Sequence, residues 1–147
     1  MGSGCKPGSS SPSVLILDTH ILLGTIFEQI SVGIGTATRA DLETAWWQEE
    51  AAVSAISFWE IEMLVDKNRL ELELPTHELR RNVLKDGLKE IAVNGIIGIR
   101  AASLQDFHRD PADRIIVATA LQGHTLLTRD AQILAWSGPL ERQDARK

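Results

Sequence analysis

Short apolar runs alternate with amphipathic stretches along this chain. Residues 14–17 (VLIL) are continuously apolar and end at Asp18, the pattern of a strand buried on both faces. A helix is predicted over 21–30. Another follows over 38–50, where Leu42, Trp46 and Trp47 give a partial apolar stripe. Residues 51–55 (AAVSA) read as a second short strand. Ser57, with Glu60 three residues on, has the capping-box pattern and predicts a helix from there to about Asn68. Phe58, Ile61, Leu64 and Val65 share its apolar face, with Glu60 near the edge of that face. Residues 77–90 are charged and helical in tendency, entered through Pro75. Residues 96–99 read as a third strand and 101–107 as a short helix or turn. Asp110-Pro111 is a helix start, an Asp cap followed by Pro at the first helical position. From Ile115 to Leu121 apolar residues surround the axis, so this helix is predicted to be deeply buried. Gly123 stops it. Residues 125–128 form a fourth strand and 131–136 a last helical turn.

Strands alternating with helices predict an α/β domain with a mainly parallel central sheet. Ligands of such sheets bind beyond the carboxyl ends of the strands.

Composition supports one domain with a real core. The chain has 147 residues, 44% hydrophobic and 24% charged. No apolar run approaches the ~20 residues that cross a bilayer. Cys5 is the only cysteine, which excludes an internal disulfide. Residues 1–13 are rich in Gly, Ser and Pro and read as a flexible tail without a secretory apolar core, so a cytoplasmic protein is expected. His20, His77, His108 and His124 are scattered without cysteine companions, which speaks against structural zinc. The H-x-D of His108 and Asp110 is a spacing that chance supplies. The four tryptophans read as core and interface anchors.

Net charge is −5, which argues against a broad basic nucleic-acid face. The charge is uneven, with 8 basic against 14 acidic residues up to residue 94 and 7 against 6 beyond it. What changes the picture is where the acids fall. Asp18 and Asp130 stand at or just past the ends of apolar strands, and Glu60 opens the helix after the second strand. Asp18, Glu60 and Asp130 therefore gather on one sheet edge if their strands are neighbours. Asp113 is harder to place, because its helix leads into a strand; a loop must carry 107–113 back across that edge.

Clustered carboxylates repel one another, and a hard divalent cation relieves the repulsion. Without Cys or clustered His the set suits Mg²⁺ or Mn²⁺, which can bind a phosphodiester oxygen and acidify a water. Each acid also has a plain structural reading. Asp18, Asp110 and Asp130 can cap helices, Glu60 can complete a capping box, and Asp113 can complement a helix dipole.

Four segments carry a resemblance: LILDTHILL at 15–23, VSAISFWEIEMLVDKNRLEL at 53–72, FHRDPADRIIVATAL at 107–121 and TLLTRDAQIL at 125–134. In order and spacing they closely resemble a PIN domain of the VapC type, the toxin half of a type II toxin–antitoxin pair. The resemblance divides the chain into a tail (1–13), a PIN domain (14–136) and a C-terminal tail (137–147). It implies a three-layer α/β fold with a central parallel sheet flanked by helices, and a Mg²⁺/Mn²⁺-dependent ribonuclease. It places the family's four acids on Asp18, Glu60, Asp113 and Asp130. Asp18 and Asp113 are then the direct metal ligands, with Glu60 and Asp130 holding metal-bound waters. Thr19, Thr128 and Asp110 are accessory. It also brings 107–113 back to the acidic edge.

Arg114 and Arg129 flank the acids and are candidates to neutralise phosphates. The expected partners are RNA, a cognate antitoxin, operator DNA only through that antitoxin, and a second copy of the chain. Two departures stand out. Gly24 replaces a frequent Trp, and the segment after Trp136 offers no convincing fifth strand. Two other readings stand beside the toxin: a PIN nuclease of RNA maturation, and a PIN fold used for assembly without cleavage. With so acidic a chain, weak non-specific affinity for RNA is expected, and recognition must rest on the site and its groove.

Overall fold

A computed structural model describes residues 13–147. The tail expected over 1–13, with Cys5, lies outside the described residues apart from Ser13. The elements are β1 (Leu15–Leu17), α1 (Thr19–Ile26), α2 (Glu28–Ser31), α3 (Thr36–Trp47), β2 (Ala51–Ser54), α4 (Ile56–Asp66), α5 (Thr76–Lys85), β3 (Lys89–Ile91), α6 (Gly95–Ala102), α7 (Pro111–Ala120), β4 (Thr125–Thr128), α8 (Ala131–Ala135) and β5 (Arg142–Asp144). The strands make one sheet in the order β3-β2-β1-β4-β5, parallel at every pairing.

The central strand explains its own sequence. Leu17 packs into one apolar cluster with Ile21, Leu22, Val53 and Ile61, while Ile16 packs into another with Ala52, Ile116, Val117 and Leu126. Adjacent residues of a strand point to opposite faces, so a strand covered on both sides must be apolar throughout. Helices therefore flank the sheet on both faces, as the three-layer expectation required.

Three expectations are corrected. Residues 96–99 are not a strand but lie within α6, which Asn94 caps by accepting the Ile97 N–H at 2.9 Å. The strand on that side is β3, pairing with β2 through Ala52↔Lys89, Val53↔Glu90 and Ser54↔Ile91. Ser57 is not the cap of α4. The helix begins at Ile56, and the buried Ser57 hydroxyl bonds the Thr19 hydroxyl at 2.8 Å.

The segment after Trp136 is not a bare tail either. It supplies β5, in register with β4 through Leu126↔Arg142, Leu127↔Gln143 and Thr128↔Asp144. Leu140 and Ala145 are buried beside it. Gly35 makes this possible, since a Cβ there would collide with the backbone of Arg146 and Lys147. Its N–H donates to the Ala145 carbonyl at 2.8 Å, pinning the chain end against α3. The other departure, Gly24, is filled from elsewhere. A Cβ on it would meet Ile34 Cδ1 at 2.5 Å, so the isoleucine occupies the space a larger residue would need.

Candidate metal centre

Strand order brings the acids together. β1 lies between β2 and β4, and the chain leaves β1 toward β2 but β4 toward β5 on the other side, which makes the carboxyl ends of β1 and β4 the switch point of the sheet. Asp18 ends β1, Glu60 lies early in α4 just after β2, and Asp130 follows β4. Asp113 arrives without any special loop crossing. α7 must end at the amino edge, where β4 begins, so its first turn necessarily starts at the carboxyl edge. A helix leading into a parallel strand meets the same edge as a helix leaving one.

Asp18, Glu60, Asp110, Asp113 and Asp130 line one pocket of about 340 Å³, with Thr19, His20 and Arg129. Carboxylate oxygens of Glu60, Asp110 and Asp113 all lie within 4.8 Å of one another. Asp110 also caps α7, its Oδ1 accepting the Asp113 N–H at 3.2 Å. Asp130 likewise caps α8, accepting the N–H groups of Gln132 at 2.8 Å and Ile133 at 3.1 Å through Oδ1. The structural readings of these two acids are therefore true, and both still face the pocket. Asp18 makes no cap bond. Its Oδ2 accepts the Thr128 hydroxyl at 2.7 Å, and that hydroxyl accepts the Asp130 N–H at 3.0 Å.

Electrostatics separates Asp18, Glu60 and Asp113 from ordinary surface carboxylates. Burial raises the pKa of Asp18, against the hydrogen bond from Thr128. Burial also raises that of Glu60, with the charges of Asp18 and Asp110 adding. Asp113 is pushed up to about 7, first by burial and then by the charge of Asp18. Oε1 of Glu60 is buried and has no hydrogen-bond partner among the described residues. A buried, partnerless carboxylate oxygen among mutually repelling acids is what a cation relieves. The all-oxygen donor set matches Mg²⁺ or Mn²⁺.

His108 belongs to this site, although its sequence context gives it no role. Its Nε2 lies 2.8 Å from Asp113 Oδ2, and its ring stacks on Phe107 with centroids 4.3 Å apart. The only signal was the H-x-D spacing. His20 stands exposed at the pocket. Burial and the nearby Arg129 lower its pKa, and Arg129 Nη1 approaches its Nε2 at 3.4 Å.

The two arginines part company. Arg129 lies over Gly33 at the pocket. Arg114 does not line it. Its guanidinium donates to the carbonyls of Ala101, Ala102, Leu104, Phe107 and His108. With its donors turned into the chain, it ties the loop before α7 and has no donor to spare for a phosphate.

A family model of the PIN domain matches residues 15–136. The chain belongs to the PIN domain family. One curated relative, Ribonuclease VapC22 of Mycobacterium tuberculosis, is 31% identical over 129 residues, covering 86% of this chain and 95% of the relative. Among solved structures, a toxin–antitoxin complex from Klebsiella pneumoniae superposes with a TM-score of 0.57 at 26% identity, covering 88% of this chain and 99% of that one. VapBC2 from Rickettsia felis, bound to a DNA fragment from its promoter, gives 0.65 at 15% identity, covering 89% and 98%. The last likeness concerns the fold: the parallel five-stranded sheet flanked by helices is that of this PIN structure too.

Proposed function

We propose that this PIN domain is a metal-dependent endoribonuclease and the toxin of a toxin–antitoxin pair. The carrying observation is the convergence of Glu60, Asp110 and Asp113 oxygens within 4.8 Å of one another, with Glu60 Oε1 buried and partnerless beside Asp18. The name of the Mycobacterium tuberculosis relative and the complexes of the Klebsiella and Rickettsia relatives support it.

Asp18 and Asp113 would hold Mg²⁺ or Mn²⁺, with Glu60 and Asp130 completing the set and Asp110 beside them. A bound ion supplies Lewis acidity to a phosphodiester oxygen and lowers the pKa of water. The chain's own residues do the rest. Thr128 holds Asp18 in place and His108 holds Asp113. Water oriented by Glu60 attacks phosphorus in line as the bond to the leaving ribose oxygen breaks, the water shedding a proton to solvent and the leaving oxygen taking one up. Arg129, exposed beside the acids, meets the negative charge of the substrate backbone. Thr19 bonds Ser57 and so fixes the first turn of α4, just ahead of Glu60.

The partners proposed are RNA, an antitoxin that carries the contact to operator DNA, and a second copy of the chain. The reaction takes place in the cytoplasm. The test is cleavage of RNA by purified protein in Mg²⁺ and in EDTA, beside Asp18→Asn and Asp113→Asn. Cleavage in Mg²⁺ alone, lost in both variants, is the expected result. Indistinguishable behaviour of wild type and variants defeats the nuclease reading.

A further inference from the structure

The acid pocket accounts for a scissile phosphate but not for the strand on either side of it. A second cavity of about 190 Å³ shares Glu60 and Asp110 with that pocket, and its far wall is Trp59, Met63, Lys67 and Arg69. Trp59 and Met63 lie one turn apart on α4 and Lys67 follows as its C-cap. At ~1.5 Å rise per residue, Lys67 stands about 10 Å along the axis from Glu60. The chain then turns through Asn68, at φ 57°, and delivers Arg69 to the same wall.

These two cations are set apart by where they stand: the side chains of Arg81, Lys85, Lys89 and Arg109 are also exposed and without a hydrogen bond or ion pair among the described residues, but they line neither of these two cavities. Arg39, Arg100, Arg114 and Arg142 donate to backbone carbonyls, while Arg80 and Arg146 pair with Glu90 and Asp144. Lys67 and Arg69 are exposed, and neither side chain has a hydrogen bond or ion pair among the described residues. They stand in a wall with two site carboxylates without bridging to them. Trp59 is 50% exposed, which leaves much of its indole open to solvent. Two unpaired cations and an open aromatic beside a phosphate-cutting pocket are the chemistry of single-strand nucleic-acid binding, where cations meet phosphates and rings stack on bases.

We propose that Trp59, Lys67 and Arg69 form a subsite for the RNA strand flanking the scissile phosphate, the cations taking a neighbouring phosphate and the indole stacking on its base. The inference rests on the nuclease reading and names where the strand runs. An acidic peptide could meet the same cations, but it would not call for a stacking ring continuous with the phosphate pocket.

The test is fluorescence anisotropy of a short labelled single-stranded RNA on the full chain, with Ca²⁺ in place of Mg²⁺, across a salt series. Lys67→Ala/Arg69→Ala should weaken binding about tenfold or more and reduce the slope of log K against log salt by roughly 0.7 for each phosphate no longer neutralised. Arg81→Ala/Lys85→Ala removes the same charge from the exposed face of α5 and should leave the slope near wild type. Trp59→Ala should cost about tenfold, and Trp59→Phe should abolish the quenching of tryptophan emission by RNA while the protein keeps its melting temperature.

Wild-type affinity and slope in the Lys67/Arg69 variant overturn the subsite. So does an equal loss in the Arg81/Lys85 control, or a loss confined to binding of an antitoxin peptide. Cleavage in Mg²⁺, run in parallel, separates the two readings. A chain that cuts RNA but ignores Lys67 and Arg69 keeps the nuclease and loses the subsite. One that binds through them without cutting keeps the subsite and loses the nuclease. One that neither binds nor cuts loses both.

Discussion

The two walls of the acid pocket are built in opposite ways. On the Asp18 side, one threonine hydroxyl serves two acids. Thr128 Oγ1 donates to Asp18 and accepts from the Asp130 backbone, and Asp130 in turn caps α8. On the Glu60 side, three carboxylates crowd within 4.8 Å and Glu60 keeps an oxygen with no donor. A hydrogen-bonded wall is rigid without a ligand, whereas an unsatisfied one holds repulsion that only a proton or a cation removes. The first is a Thr128 frame that fixes the proposed ligand Asp18, and the second is the open part of the seat. Loss of the Thr128 frame should therefore appear in stability, and loss of a seat carboxylate in metal binding.

The largest effect is expected at the seat. Asp113→Asn should lower RNA cleavage at least ~10³-fold and remove the heat of Mn²⁺ binding in calorimetry, while the metal-free protein becomes more stable. Next comes the frame. Thr128→Val keeps the shape but strands a buried Asp18 oxygen and the Asp130 N–H, so urea unfolding should show a loss of about 2–4 kcal/mol. If the valine variant unfolds like wild type, the division into frame and seat is wrong.

Third is pH. Folding raises the pKa of Asp18 and Glu60, and that of Asp113 to about 7. A carboxyl raised in the native state favours folding while protonated. Its contribution is full below the ordinary carboxyl range and is lost as pH rises through the native value. The metal-free melting temperature should therefore fall between about pH 5 and about pH 8, and saturating Mg²⁺ should reverse the fall. A flat metal-free profile would show that the acids do not share one field. The smallest effect sharpens the boundary between the walls. His108 steadies a seat residue from outside, so His108→Ala should weaken Mn²⁺ binding about tenfold with little change in unfolding.

The apolar pattern exposed the centre of this fold and hid its margins. β1 and the centre of β4 are buried on both faces, so burial wrote them in Leu and Ile. β3 and β5 are edge strands, reading KEI and RQD. Backbone pairing holds them and leaves no apolar run to detect. Residues 96–99 mislead for the converse reason: β-branched residues suit strands, yet the Asn94 cap and packing against α7 make that segment helical.

At the site, Asp18, Glu60 and Asp130 are legible because strand ends mark an edge, whereas Asp113, on a helix that leads into a strand, is reached only through the family resemblance. His108 is not, because a contact made from behind a ligand, across a loop, has no period. Arg114 misleads because a sequence shows a charge but not the carbonyls that consume it. Lys67 and Arg69 go unmarked, since nothing in the order of residues says that their cavity opens onto Glu60.

The Thr128–Asp18 bond joins residues 110 positions apart. Ribosomes add roughly 5–20 residues per second, so roughly 5–20 s pass between the synthesis of the two halves of the pocket. Over that interval β1 has been made but its neighbour β4 has not, and Asp113 and Asp130 arrive about a hundred residues after Asp18. A polypeptide that is born on RNA therefore has no complete cutting centre until more than a hundred residues have been added after Asp18.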